Sequence, residues 1–162
     1  MAKRNYLVEG GSGTGKSSVC RELRKRGYQA VDGDNELAYA GDPDTGERVE
    51  VHNHYNHIWD VAKVREIAAD TTNEIAFFCG GSRNFTKFLD VFDQVIVLDV
   101  DTETLKQRLV AREADDWGGN DEEKEFIVRL HATRDGVPPG TVIDTTARSL
   151  GEVVDAIFDA IR

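Results

Sequence analysis

Short apolar runs alternate along the chain with longer segments whose apolar residues recur at helical spacing. Asn5 to Glu9 is β-prone and closed by glycines, which predicts a buried strand. Ser17 to Arg26 sets Val19, Cys20 and Leu23 on one side and predicts a helix ended by Gly27. Tyr28 to Asp32 predicts a second strand, and Gly41 to Gly46 has turn chemistry. A helix is predicted from Ile58 to Asp70 on the stripe Ile58, Val61, Ala62, Val64, Ala68 and Ala69. Glu74 to Cys79 predicts a third strand, apolar enough to be covered on both faces. A short helix is expected over Phe85 to Leu89 and a fourth strand over Gln94 to Asp99. Helices follow over Thr102 to Arg112 and Asp121 to Thr133, then a fifth strand over Thr141 to Asp144. The last helix opens on the capping box Ser149-Leu150-Gly151-Glu152 and is expected to bury Leu150, Val153, Val154, Ile157, Phe158 and Ile161.

Strands alternating with helices predict an α/β fold: a parallel sheet of about five strands with helices on both faces. The chain of 162 residues suits a single domain over 1–162. Ligands of such sheets bind at the carboxyl ends of the strands. The chemistry is therefore sought in the loops after the first four strands.

One of those loops carries a motif. Gly10-Gly11-Ser12-Gly13-Thr14-Gly15-Lys16-Ser17 satisfies G-x-x-x-x-G-K-[ST] and lies between a predicted strand and a predicted helix. Its glycines let successive N–H groups, from Gly11, Ser12, Gly13, Thr14 and Gly15 on to Ser18, turn toward phosphate oxygens. The helix that follows adds the positive end of its dipole. Lys16 supplies a cation for the β- and γ-phosphates, and the Ser17 hydroxyl a ligand for Mg²⁺. The expected fold is thus the three-layer P-loop NTPase fold, with ATP and Mg²⁺ bound. No N-K-x-D sequence for guanine is present.

Apolar residues make up 40% of the chain and charged residues 31%, a balance that suits a packed core. No apolar run reaches the length of a membrane helix, and the start is too polar for a signal peptide. The expectation is a cytoplasmic protein with no membrane partner. Cys20 and Cys79 are not in a metal-type spacing. The net charge of −10 repels nucleic acid and makes a small phosphoryl acceptor the expected partner.

With the phosphate loop, four further stretches make the chain resemble the small P-loop kinases: shikimate kinase, gluconate kinase and the nucleoside-monophosphate kinases. Asp32-Gly33-Asp34 resembles the Asp-x-Asp of shikimate kinase. That likeness implies Asp32 for hydrated Mg²⁺ and Asp34 for the acceptor hydroxyl. In extended chain, alternate carboxylates can aim at one site. Cys79-Gly80-Gly81-Ser82-Arg83 is similar to the acceptor loops of shikimate and adenylate kinases. It implies acceptor binding by Gly80, Gly81 and Arg83, with Cys79 where adenylate kinase has an Asp.

Leu105 to Arg112 resembles the adenylate kinase helix that leads into its lid, which implies Arg108 on adenine and Arg112 on phosphates. Arg129-Leu130 matches a phosphate-clamping Arg on the helix leaving the lid, and 113–120 would be a short lid around Trp117. Shikimate kinase's Arg-x-Pro-Leu-Tyr is replaced by Arg129-Leu130-His131-Ala132, while Arg65 is similar to that family's substrate Arg.

His52, His54 and His57 read as a solvated polar loop in preference to a metal site. The milder alternative puts His57, Trp59 and Asp60 on the acceptor, with Trp59 stacking on a ring. These residues together predict ATP-dependent transfer of a phosphoryl group to a hydroxyl of a small metabolite, including a nucleoside. The catalytic set would be Lys16, Asp34, Arg112 and Arg129. The alternatives are a nucleotide kinase, favoured by Arg83 and Arg65, and a nucleotide-binding regulator.

Overall fold

The apolar run ahead of the glycine loop forms the central strand of the sheet. In the computed structural model, which describes residues 3–11, 13–111, 119–134 and 136–162, that strand is β1 (Arg4–Gly10). It is flanked by β5 (Ile75–Cys79) and β6 (Gln94–Asp99). β2 (Gln29–Asp32) and β7 (Thr141–Asp144) form the edges, giving the order β2-β5-β1-β6-β7, all parallel.

Side chains on β1 alternate between the faces, as the pleat requires. Tyr6 and Val8 join a cluster with Val19 and Leu23 of α1 (Lys16–Lys25) and Val154 and Ile157 of α6 (Leu150–Ala160). Leu7 joins the opposite cluster with Val64 of α3 (Val61–Ala69), Phe78 and Phe88. The sheet is therefore covered on both faces. The capping box at the start of α6 is formed in both directions between Ser149 and Glu152.

α4 (Thr102–Val110) and α5 (Asp121–Thr133) pack on each other through Leu105, Leu109 and Ile127. The structure corrects the predicted Ile58–Asp70 helix. His57–Trp59 is a strand, β4, paired antiparallel with β3 (Ala38–Ala40), and the helix begins only after Asp60. The Asp60 carboxylate caps α3 by accepting from the Lys63 N–H at 3.1 Å. Phe85–Lys87 and Leu89–Val91 are two 3₁₀ turns in place of one short helix. The β3–β4 pair stands outside the main sheet, beside α2 (Gly33–Glu36), and walls one side of the strand ends. Among the described residues, no helix is long and apolar enough to cross a membrane.

Candidate functional site

The ends of β1, β5 and β6 open into a cleft of about 960 Å³, at the upper end of the usual size range for small-molecule sites. Gly11, Gly13, Thr14, Gly15, Lys16, Ser17 and Ser18 line its floor. Ser12 lies outside the described residues. Gly15 precedes α1 with φ +106°, a conformation open to glycine, and it offers no side chain to cap the helix. The first N–H groups of α1 are thereby left for an anion. Lys16 Nζ donates to the carbonyls of Gly10 and Gly11, the latter at 3.2 Å. Among the described residues its ammonium bonds only to the loop, so phosphate oxygens can take over those bonds.

Asp34 faces Lys16 across the cleft from the first turn of α2. Its Oδ1 lies 3.0 Å from Nε2 of His57, and Nδ1 of His57 lies 2.9 Å from Nε2 of His52. Burial pushes the Asp34 carboxyl up. The His57 hydrogen bond and the charges of Lys16, His57 and His52 outweigh it and hold the group below the usual carboxylate range. Asp34 is thus ionised at neutral pH. His52 and His57 belong to this wall of the cleft; the solvated-loop reading does not hold for them, and for His57 the alternative that it lines the pocket does. The expectation for Asp32 is corrected. Its carboxylate caps α2, accepting from the backbone N–H of Asn35 at 3.4 Å and from the Asn35 side chain at 2.7 Å, and it does not line the cleft.

Glu9 is a site residue that the sequence reading missed. It ends β1 directly before the loop, is 3% exposed, and lines the cleft between Lys16 and Asp34. Its Oε1 accepts from the Gly10 N–H at 3.0 Å, and its carboxyl also accepts from the Ser82 N–H. A side chain at position 81 would put its Cβ 2.7 Å from that oxygen, so Gly81 makes room for Glu9. Burial raises the carboxyl from 4.5 to about 8, against the pull of Lys16. An acidic residue closing an apolar strand was the available signal.

This buried acid has a measurable consequence. Between about pH 5.5 and 7.5 the native state keeps the Glu9 proton and the unfolded chain has lost it. The native state binds more protons, so stability is full below the unfolded value. It declines as pH rises toward about 8, by about 1.4 kcal/mol per pH unit. Glu9→Gln should flatten denaturant-measured stability across that window relative to the wild type. A wild-type-minus-variant difference that does not change with pH would show that Glu9 titrates normally.

The arginines separate into two groups. Arg108 lines the cleft and donates to the carbonyl of Gly13 at 2.8 Å and to the Thr145 hydroxyl at 3.2 Å. It ties the phosphate loop to the loop after β7, where Arg148 also lines the cleft. Arg83 lines the cleft, with its guanidinium over the Tyr55 ring at 5.2 Å. Arg134 was not foreseen. It ends α5 in a left-handed conformation with φ 56°, lines the cleft, and bonds Asp99 at 2.7 Å.

Four expectations are corrected. Arg129 turns away from the phosphate loop and lies over the Phe126 ring at 5.9 Å, in a separate hollow with Tyr55 and Leu130. Arg65 is exposed, grips Asp90 with two bonds of 3.0 Å, and stays off the cleft. Trp59 is 1% exposed and stacks on Phe88 with centroids 5.5 Å apart, so it belongs to the core beneath the site. Gly80 is buried against Trp59 and Asp34 and does not line the cleft, whereas Gly81 does. Arg112 and residues 113–118 of the expected lid lie outside the described residues. Asn120 caps α5 through the Glu123 N–H at 2.8 Å.

A phosphate loop at the end of the central strand of a β2-β5-β1-β6-β7 sheet is a family-level signature, and the AAA domain family matches residues 7–127, well over half of the chain. The chain belongs to this family. No curated protein matches it. Among solved structures, shikimate kinase from Acinetobacter baumannii in complex with shikimate is similar, with a TM-score of 0.65 and 19% identity over 98% of this chain and 93% of that one. A sugar kinase from a Janibacter species has a TM-score of 0.58 and 16% identity over 98% and 94%. A gluconokinase from Sinorhizobium meliloti has a TM-score of 0.55 and 18% identity over 94% and 87%. The fold is that of the small P-loop kinases.

Proposed function

We propose that the protein is an ATP-dependent kinase that transfers the γ-phosphoryl group to a hydroxyl of a small, polyhydroxylated metabolite. The observation that carries this reading is the ionised Asp34 carboxylate facing Lys16 across one cleft. A hydroxyl acceptor must lose a proton, and a carboxylate within reach can take it. Asp34 takes that proton as the acceptor oxygen bonds to the γ-phosphorus and ADP leaves with the electrons of the broken P–O bond. Lys16 and the α1 N–H groups bear the phosphate charge. Arg108 holds the nucleotide side. The Ser17 hydroxyl is the hard oxygen ligand this chain offers Mg²⁺ at the loop, and the ion, when bound, neutralises phosphate charge. Arg83 faces the acceptor and suits a carboxylate or phosphate on it.

Asn53 and Ser82 add hydrogen-bonding groups on the acceptor side. No Phe, Tyr or Trp among the described residues lines the cleft, which favours a sugar, polyol or hydroxy acid over a nucleobase. Arg83 also supports a second reading, a nucleotide kinase with a phosphate acceptor, which needs cations and no base.

A transfer screen with labelled ATP against sugars, polyols, hydroxy acids, aminoglycosides, nucleosides and nucleotides tests the proposal. The expected result is turnover on a hydroxyl-bearing, non-nucleotide acceptor at least about 10-fold above any nucleoside monophosphate. Nucleoside monophosphates as the best acceptors would establish the second reading. ATP binding with no transfer to any of them would point to a regulator.

A further inference from the structure

His57 stands between Asp34 and His52, with one ring nitrogen at hydrogen-bond distance from each. The two imidazole planes are 18° apart, with centroids separated by 5.1 Å. Because their facing nitrogens already touch, no ion fits between them. Among the described residues, no group of three His, Cys, Asp or Glu could hold a metal. The row is therefore a hydrogen-bond chain. An ionised carboxylate only accepts, so Nε2 of His57 carries a proton and donates it to Asp34. In a neutral ring Nδ1 then holds a lone pair, and His52 must donate to it from Nε2.

The frame around this chain is built to keep it in place. His57 lies on β4 opposite Ala40, and its carbonyl accepts from the Arg83 N–H at 2.8 Å. The turn between the two histidines is closed by Asn53, which accepts from the Tyr55 and Asn56 N–H groups. The Asn56 side chain bonds back to Asn53 and to the carbonyl of Val51. Asp34 would otherwise be a half-exposed side chain on a short helix with several rotamers open to it. Oδ1 takes the His57 bond, and among the described residues no hydrogen bond occupies Oδ2.

We propose that His57, oriented in turn by His52, is a positioning residue that holds Asp34 with Oδ2 toward the acceptor hydroxyl. The inference rests on the hydroxyl-transfer reading above and adds two residues to it. A base held at one angle does not spend turnovers in unproductive rotamers, so the gain falls on kcat and not on binding.

Two variants separate this role from simple packing. His57→Leu removes the donor at similar size. His57→Gln keeps an N–H near the place of Nε2. His57→Leu should lower kcat by roughly 10- to 100-fold. Acceptor KM and ATP affinity should stay within about 3-fold, because neither depends on the Asp34 rotamer. His57→Gln should recover most of the loss, and His52→Leu should lower kcat less than His57→Leu does. Long-range ¹H–¹⁵N spectra of the unliganded wild type, recorded at a pH where the ring shifts themselves report neutral imidazoles, should show His52 and His57 as Nε2–H tautomers.

Wild-type kcat in His57→Leu, a His57→Gln variant as slow as His57→Leu, or an Nδ1–H tautomer at His57 would each overturn the proposal. If His57→Leu does not fold by its melting curve, His57→Gln, His52→Leu and the spectra still decide. The tautomers need no acceptor. They judge this arrangement even if the screen finds no hydroxyl substrate, a result that would overturn only the functional reading.

Discussion

Lys16→Met is expected to leave a folded protein whose phosphoryl transfer is lower by roughly 1,000-fold, the cost of removing one preorganised charge from a transition state. The reason is local. Among the described residues Lys16 donates only to carbonyls of its own loop, and it takes no part in the three core clusters. Methionine keeps much of the length of the stem and none of the charge. Melting temperature should therefore move little. ATP affinity should fall as well, since the ammonium meets phosphate in the ground state, but by less than turnover falls. The measurement is single-turnover transfer together with ATP titration and a thermal melt of the same preparation. Wild-type turnover in a folded Lys16→Met protein would remove the phosphate loop from the reaction.

Asp34→Asn should give the next largest loss, about 10²- to 10⁴-fold in kcat, the range for a positioned general base. Asparagine keeps the size and can still accept from His57 through its amide oxygen. It lacks the negative charge and the basicity. ATP affinity should stay within a few-fold, because Arg108 and the phosphate loop hold the nucleotide. A collapse of ATP binding, with turnover on bound ATP preserved, would place Asp34 at the metal instead. The corrected position of Asp32 sharpens this test. Asp32 is committed to Asn35, so Asp34 is the carboxylate of the Asp-Gly-Asp stretch that faces the cleft.

Local signals were enough for several parts of this protein. The phosphate loop was legible because its glycines, Lys16 and Ser17 act within eight consecutive residues flanked by a strand and a helix. The five strands and the last helix were legible because each carries its own apolar run, cap or breaker. Arg108 was legible because it shares one short helix with Leu105 and Leu109, whose burial leaves it the cleft side.

What the sequence could not settle depends on contacts between distant segments. The three-residue strands β3 and β4 are too short to show a period of their own. Pairing between segments 16 residues of chain apart, with Asp60 capping the next helix, turned Ile58 and Trp59 from helix into strand. Packing of Ile127 on Leu105 and Leu109 leaves Arg129 in a separate hollow, while Arg134 reaches the cleft from the left-handed residue that ends the helix. Trp59 looked like a ligand-stacking ring until Phe88 was found beneath it. Glu9 became a raised-pKa acid only when β5 and the loop around Gly81 closed over it. His57 became part of the site only when β4 brought it to Asp34, 23 residues earlier in the chain. Local propensity acts over a few residues, whereas burial, side-chain direction and pKa are set by whatever the packed chain places nearby.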